Sequence, residues 1–240
     1  MTATDDRSTV LAPLGGAIAA TAAVGYALPA LAFHLRGLRG PLGIEDRARG
    51  GRGYALTFDD GPHAQGTPRA LEILAGAGVD ATFFLVGEQV QRNPGLVAEI
   101  LAAGHQIGLH CNRHRNLLRL TPRQTREDIV RAQASIEEVS GRSPTLYRPP
   151  YGVLNAAALA HARRSGWRTL LWSHWGRDWE ARATAESIAA RVPGGAGVGS
   201  GLLLHDADDY SAPSSWRRTV AALPRVLDTL GQRGLQAVAL

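Results

Sequence analysis

The sequence predicts an α/β fold: a barrel, incomplete at about seven parallel strands, with helices around the outside. Three observations lead there. Short apolar runs rich in strand-forming residues alternate with helix-length stretches, the pattern of β-α units whose strands lie parallel. About seven such units fall within one domain-sized chain of 240 residues, which points to a barrel rather than a two-layer bundle. The residues able to do chemistry follow the strands, at the carboxyl ends, where a barrel of this kind gathers its functional groups.

The elements can be justified in order. YALTF (54–58) is the first strand. Thr67 followed by Pro68 reads as an N-cap with proline at the first helical position, and the helix through Leu71 and Leu74 stops near Gly76 or Gly78. ATFFLVG (81–87) is the second strand, and Asn93-Pro94 opens the second helix, which ends at Gly104. QIGLH (106–110) is the third strand. Thr121-Pro122-Arg123-Gln124 is a capping box opening a long helix that ends at Gly141. TLYR (145–148) is the fourth strand, followed by a helix from Asn155 to about Ser165. RTLLW (168–172) is the fifth, with a helix after Thr184. The glycine-rich run Pro193 to Gly201 reads as a flexible connection into GLLLH (201–205), the sixth strand, and a helix follows Ser214. LQAVAL (235–240) closes the chain as a seventh strand.

Composition narrows the function classes. The chain is 45% hydrophobic and 20% charged, ordinary for a globular protein, with a net charge of +5 carried entirely by arginine, since lysine is absent. Without lysine there is no phosphate-binding loop of the Walker kind. No interleaved basic and aromatic run supports a nucleic-acid partner, and the positive balance suits an anionic cell envelope instead. No G-x-S-x-G elbow is present, which argues against a serine esterase. The single cysteine, Cys111, rules out an intrachain disulfide.

Residues 1–40 read as an apolar amino-terminal segment with the start of a linker, and residues 41–240 as the domain proper. Val10 to Phe33 carries no charge, long enough to span a bilayer, but it is rich in Ala and Gly and contains Pro13 and Pro29. Ala30-Leu31-Ala32 offers a signal-peptide cleavage site, although Asp5 and Asp6 beside Arg7 make a poor n-region. A membrane anchor, a signal peptide and a segment packed on the domain all stay open. The arginines of the basic, glycine-rich linker (Arg36 to Gly53) would leave a lone span with that flank cytoplasmic.

The strand ends carry the chemistry. Asp59 and Asp60 follow strand one, His110 ends strand three with His114 four residues on, and Arg148 ends strand four. Trp172 ends strand five with Asp178 shortly beyond, and His205 and Asp206 end strand six. Two imidazoles and one carboxylate make a facial metal set with open positions. Such a cation offsets the repulsion of adjacent carboxylates, so one aspartate can hold the metal while the other faces a water whose pKa the metal lowers to about 7. Arg148 is placed to keep that second carboxylate ionised, and His205 to protonate a leaving amine.

At this point the residues resemble the polysaccharide deacetylases, the family-four carbohydrate esterases with a NodB-type homology domain. From about Tyr54 onward, TFDDGP (57–62), HCNRH (110–114), RPPYG (148–152), GRDW (176–179) and LLHD (203–206) look like the family's five motifs in order. The resemblance implies a distorted, incomplete barrel, a divalent metal (zinc above all, with cobalt or a similar ion an alternative) and hydrolysis of N-acetyl groups on N-acetylglucosamine-type glycans. It implies Asp59 as general base, Asp60, His110 and His114 as metal ligands, and Arg148 steadying Asp59. It further implies Asp178 orienting His205 as general acid and the Tyr151 backbone N–H holding the oxyanion, with Pro150, Trp179 and Leu203 on the substrate side.

Two positions depart from the family's pattern. Cys111 stands where Ser or Thr is common, and strand alternation turns it away from the His110 face. WSHWGRDW (172–179) offers His174 and Trp175 where an acidic residue is often found, which bears on the sugar-facing rim. Trp167 and Trp216 read as packing beneath it. The leading expectation is a metal-dependent N-deacetylase of peptidoglycan or a chitin-like polymer, membrane-associated or extracytoplasmic. The alternatives are a deacylase of a membrane lipid-linked amino sugar and a non-catalytic glycan-binding protein. The sequence does not specify an oligomeric state.

Overall fold

The computed structural model describes residues 21–49 and 53–240. Its frame is one eight-stranded sheet, ordered β1-β6-β5-β4-β3-β2-β8-β7 with every pair parallel. The strands are β1 (Ile44–Glu45), β2 (Ala55–Asp59), β3 (Thr82–Val86), β4 (Gln106–Cys111), β5 (Leu146–Tyr147), β6 (Arg168–Leu170), β7 (His174–Trp175) and β8 (Gly201–His205). The helices are α1 (Gly66–Ala77), α2 (Gly87–Arg92), α3 (Pro94–Ala102), α4 (Pro122–Ser140), α5 (Ala156–Arg164), α6 (Ala185–Arg191) and α7 (Ser215–Gln232). The sheet curls into an open half-barrel, and the helices cover its outer face.

The central strands β2, β3 and β8 are buried along their whole length, as near-continuous apolar runs require when both faces are covered. Phe84, Leu146 and Leu170 fill the barrel interior. The larger core lies between sheet and helices. The predicted capping box on α4 forms, with Thr121 accepting from the Gln124 N–H and Gln124 answering to the Thr121 N–H. Asn155 caps α5 by accepting from the Ala158 N–H.

Four expectations change. The linker between Arg36 and Gly53 contains β1, and beyond it Arg47 bridges Ser200 while the Ala48 N–H donates to Gly199 O at 3.0 Å. This stretch therefore crosses the gap between the two sheet edges. Gly201 permits the crossing, because a Cβ there would lie 2.8 Å from Asp46 O. The glycine-rich connection before β8 is held in turns by Arg233, which donates to Pro193 O and Ala196 O. LQAVAL is no strand: one parallel bridge joins Ala237 to Tyr54, and the chain then passes beneath the barrel, where Leu240 packs on the interior cluster. Its apolar residues plug an end rather than extend an edge. Thr67 lies inside α1 instead of capping it, and its hydroxyl binds Asp206.

The amino-terminal expectations lie partly outside the described residues. Of Val10 to Phe33, residues 21–27 are helical and Leu28–Phe33 form a 3-10 turn packed on the domain. Among the described residues no helix is long and apolar enough to cross a membrane.

Candidate active site

Strand register assembles the site. In the β2–β8 pairing Asp59 stands beside His205, and in the β4–β5 pairing Leu109 stands beside Tyr147, so His110 and Arg148 emerge as neighbours. The strand ends open on a cleft of about 460 Å³ lined by Asp59, Asp60, His110, His114, Tyr151, Trp179, Leu203 and His205.

Asp59 and Asp60 are 2% and 3% exposed, yet they point to different partners. Asp59 is still strand, whereas Asp60 adopts φ 77°, a left-handed conformation that costs a non-glycine residue about 1–3 kcal/mol. That turn, rather than strand alternation, separates the two carboxylates. Arg148 crosses the barrel interior with its guanidinium 4.0 Å from the Phe84 ring centroid. Its Nη1 donates to Asp59 Oδ1 at 2.6 Å and to Thr57 Oγ1 at 2.7 Å, and its Nη2 to Leu171 O at 3.2 Å. Burial lowers the Arg148 pKa and the Asp59 charge opposes the shift.

His110 and His114 come together with Asp60. After His110 the chain leaves β4 at Cys111 and bends at residues 112–113, which delivers His114 to the same place. His110 Nδ1 donates to Arg148 O at 2.7 Å, which leaves the Nε2 lone pair facing Asp60. The separations from Asp60 Oδ1 are 3.5 Å to His110 Nε2 and 3.3 Å to His114 Nε2. Asp60 Oδ1 is buried and accepts no hydrogen bond. Three lone-pair donors around one point fit a cation: tetrahedral bonds of about 2.1 Å put ligand atoms about 3.4 Å apart. Burial pushes the His114 pKa down to about 4, which keeps the ring neutral as a ligand must be. Burial pushes the Asp60 carboxyl up, but the surrounding imidazoles of His110, His114 and His205 outweigh it and hold the group low.

Across the cleft, the Asp178 carboxylate is fully buried. It accepts from the His205 backbone N–H at 2.7 Å, from His205 Nδ1 at 3.1 Å and from Thr219 Oγ1 at 2.9 Å. Burial disfavours the imidazolium, but the charge and hydrogen bond of Asp178, with the charges of Asp60 and Asp59, prevail and raise the His205 pKa to about 10. Nε2 carries that proton toward the cleft, 4.0 Å from Asp60 Oδ2. Tyr151 takes φ 59°, the second strained backbone at this mouth.

Most of the residues expected from the sequence thus converge. Arg148 and Asp178 sit directly behind the cleft-lining groups. Pro150 does not reach the cleft, because it is buried in the Pro150–Gly152 turn. Asp206 also turns away. Burial raises its carboxyl to about 7, and it accepts from Thr67 Oγ1 beneath the first strand's loop. Cys111 is buried, and its thiol is not among the clustered donors. Trp175 reaches the cleft, whereas Trp167 and Trp216 are packed away from it.

Sequence reasoning missed Tyr210, whose ring stacks on His114 at 4.7 Å and whose hydroxyl donates to Glu88 at 2.6 Å. It missed Thr219 and Phe33 as well. Tyr210 ends the polar run HDADDY (205–210), a weak signal beside the last motif, while Thr219 on α7 and Phe33 far upstream carried none.

Comparison with known proteins agrees with this geometry. A family model described as polysaccharide deacetylase matches residues 46–170. A peptidoglycan-N-acetylglucosamine deacetylase of Bacillus cereus is 38% identical over 187 residues, 77% of this chain and 84% of that protein. The peptidoglycan-N-acetylglucosamine deacetylase PgdA of Listeria monocytogenes is 34% identical over 80% of this chain, which spans only 39% of that longer protein. A crystal structure of a peptidoglycan N-acetylglucosamine deacetylase superposes with a TM-score of 0.76 at 30% identity, covering 82% of this chain and 90% of that one.

Proposed function

The chain belongs to the polysaccharide deacetylase family and is an enzyme that deacetylates glycans; from that premise we propose that it hydrolyses the N-acetyl group of N-acetylglucosamine-type sugars in a polymer, peptidoglycan or chitin-like, with a divalent cation as cofactor. The observation that carries the reading is the cluster of Asp60, His110 and His114, whose donor atoms lie within 4.8 Å of one another between a held carboxylate and a held imidazolium. These three residues would hold the ion, zinc first by its taste for two imidazoles and a carboxylate. When bound, the ion supplies Lewis-acid polarisation and makes water more acidic.

The chain's own groups do the rest. Asp59, fixed by the hydrogen bond from Arg148, takes a proton from the attacking water. The Tyr151 backbone N–H, presented by its left-handed turn, donates to the oxygen that gains charge as the carbonyl carbon becomes tetrahedral. His205 then gives its Nε2 proton to the departing sugar nitrogen, while Asp178 holds the ring and its charge. Leu203 and Trp179 form an apolar side for the acetyl methyl.

The peptidoglycan substrate of the relatives supports action in the cell envelope, outside the cytoplasm. Val24, Leu28, Leu31 and Leu35, all exposed on the amino-terminal segment, support a lipid contact there, which flotation with anionic vesicles tests. The activity is tested by acetate release from chitooligosaccharides and peptidoglycan fragments, with and without a chelator. Release that stops on chelation and returns with zinc supports the reading; release unaffected by chelation contradicts it.

A further inference from the structure

Phe33 stands upstream of the stretch that the family model matches, yet its ring lines the same cleft as Asp59, His110 and Leu203. It meets Trp172 edge-on at 5.7 Å. It meets the His34 ring edge-on at 5.0 Å as well, and it packs on Gly152, the residue after Tyr151: at φ +69° a Cβ there would lie 2.6 Å from Phe33 Cδ2. The ring therefore occupies space that a side chain at position 152 would otherwise fill.

The backbone carrying Phe33 is clamped on both sides. Arg39, 7% exposed, donates from Nε to Ala32 O at 2.9 Å and from Nη2 to Phe33 O at 3.0 Å, and pairs with Asp46 through Nη1. Upstream, the Tyr26 hydroxyl donates to Leu120 O at 2.7 Å and accepts from Asn155 Nδ2 at 2.6 Å. Pro29 and Ala32 are buried between these clamps. A segment that served only as a tether would need neither a buried arginine on its carbonyls nor an aromatic ring in the catalytic mouth.

We propose that Phe33 is a specificity-determining residue, its ring forming with Trp172 and Trp175 the aromatic wall against which the apolar C–H face of an N-acetylhexosamine ring rests. This rests on the deacetylase reading. Aromatic contacts of this kind contribute about 0.5–1.5 kcal/mol, so removal weakens binding by up to about tenfold.

The test compares wild type, Phe33→Ala and Phe33→Tyr on N-acetylated chitotetraose. The expected result for Phe33→Ala is a KM raised about three- to tenfold with kcat within about twofold and zinc content unchanged; Phe33→Tyr restores KM. Calorimetric binding of chitotetraose to the Asp59→Asn protein, with and without Phe33→Ala, reads the same loss without turnover. An active wild type whose KM and tetraose affinity are unchanged by Phe33→Ala, even where the variant melts lower, overturns the assignment of Phe33. A wild type that binds tetraose but releases no acetate overturns the deacetylase reading, and the calorimetry still decides for or against Phe33.

Discussion

Replacing Arg148 with methionine probes how the site holds a carboxylate inside the protein. Arg148 is 1% exposed and Asp59 2%, so neither charge is solvated. Methionine fills much of the same volume and keeps a contact with Phe84, but it cannot replace the donors to Asp59, Thr57 and Leu171 O. Removing one partner of a buried pair leaves the other uncompensated and costs about 3–5 kcal/mol. Global stability is about 5–15 kcal/mol, so the variant should fold but lose a large fraction of its margin. Unfolding in urea, followed by tryptophan fluorescence with chelator present so that metal binding does not contribute, gives the number. Adding Asp59→Asn removes the stranded charge, so the double variant should be more stable than Arg148→Met alone, with a coupling of about 2–3 kcal/mol. A loss below about 1 kcal/mol for the single variant, with no recovery in the double, is what an exposed ion pair would show. It would refute the claim that this pair is a buried, mutually dependent unit.

Three further outcomes follow from the same geometry. Tyr210→Ala should weaken zinc affinity about tenfold by removing the ring that faces His114, whose Nδ1 has no hydrogen-bond partner, whereas Tyr210→Phe keeps the stack; competition with a chromogenic chelator reads both. Partial burial pushes the Glu45 carboxyl up, but hydrogen bonds from Arg168 and Arg49 more than offset it and hold its pKa below the usual 4.5. A depressed carboxyl stabilises the fold above the unfolded pKa and loses that contribution as pH falls through the folded one, so Glu45→Gln should be destabilising at pH 7, with the difference shrinking as pH falls below 4.5 in paired thermal melts. Cys111→Ser should keep most of the activity, since the thiol lies buried outside the metal-donor cluster; complete loss with normal zinc content would contradict that placement.

The residues that converge on the cleft were legible because chemistry restricts such groups to few side-chain types at strand ends, and the period of the strands shows where those ends are. The helices with a local signal, such as the Thr121 capping box, were legible too. What escaped depends on contacts distant in sequence. The two-residue strands β1 and β7 are too short to carry any period, and only their neighbours β6 and β8 make them strands. LQAVAL has a strand's composition, but β2 already pairs on both sides with β3 and β8, which leaves the chain end only the space below the barrel. Thr219 reaches Asp178 from a helix, 41 residues away. Phe33 comes from a segment whose apolar composition suggested a membrane or a signal before it suggested a wall of the cleft.

The central claim is a division of labour between two adjacent aspartates: one strained residue joins the imidazoles around a cation, and its neighbour, backed by arginine, moves a proton. Zinc content and turnover measured on the same preparations of Asp60→Ala and Asp59→Asn test it directly. Asp60→Ala should be isolated without zinc, whereas Asp59→Asn should hold a full equivalent yet lose kcat by about 10²–10⁴. An empty Asp59→Asn beside a zinc-filled Asp60→Ala would contradict it.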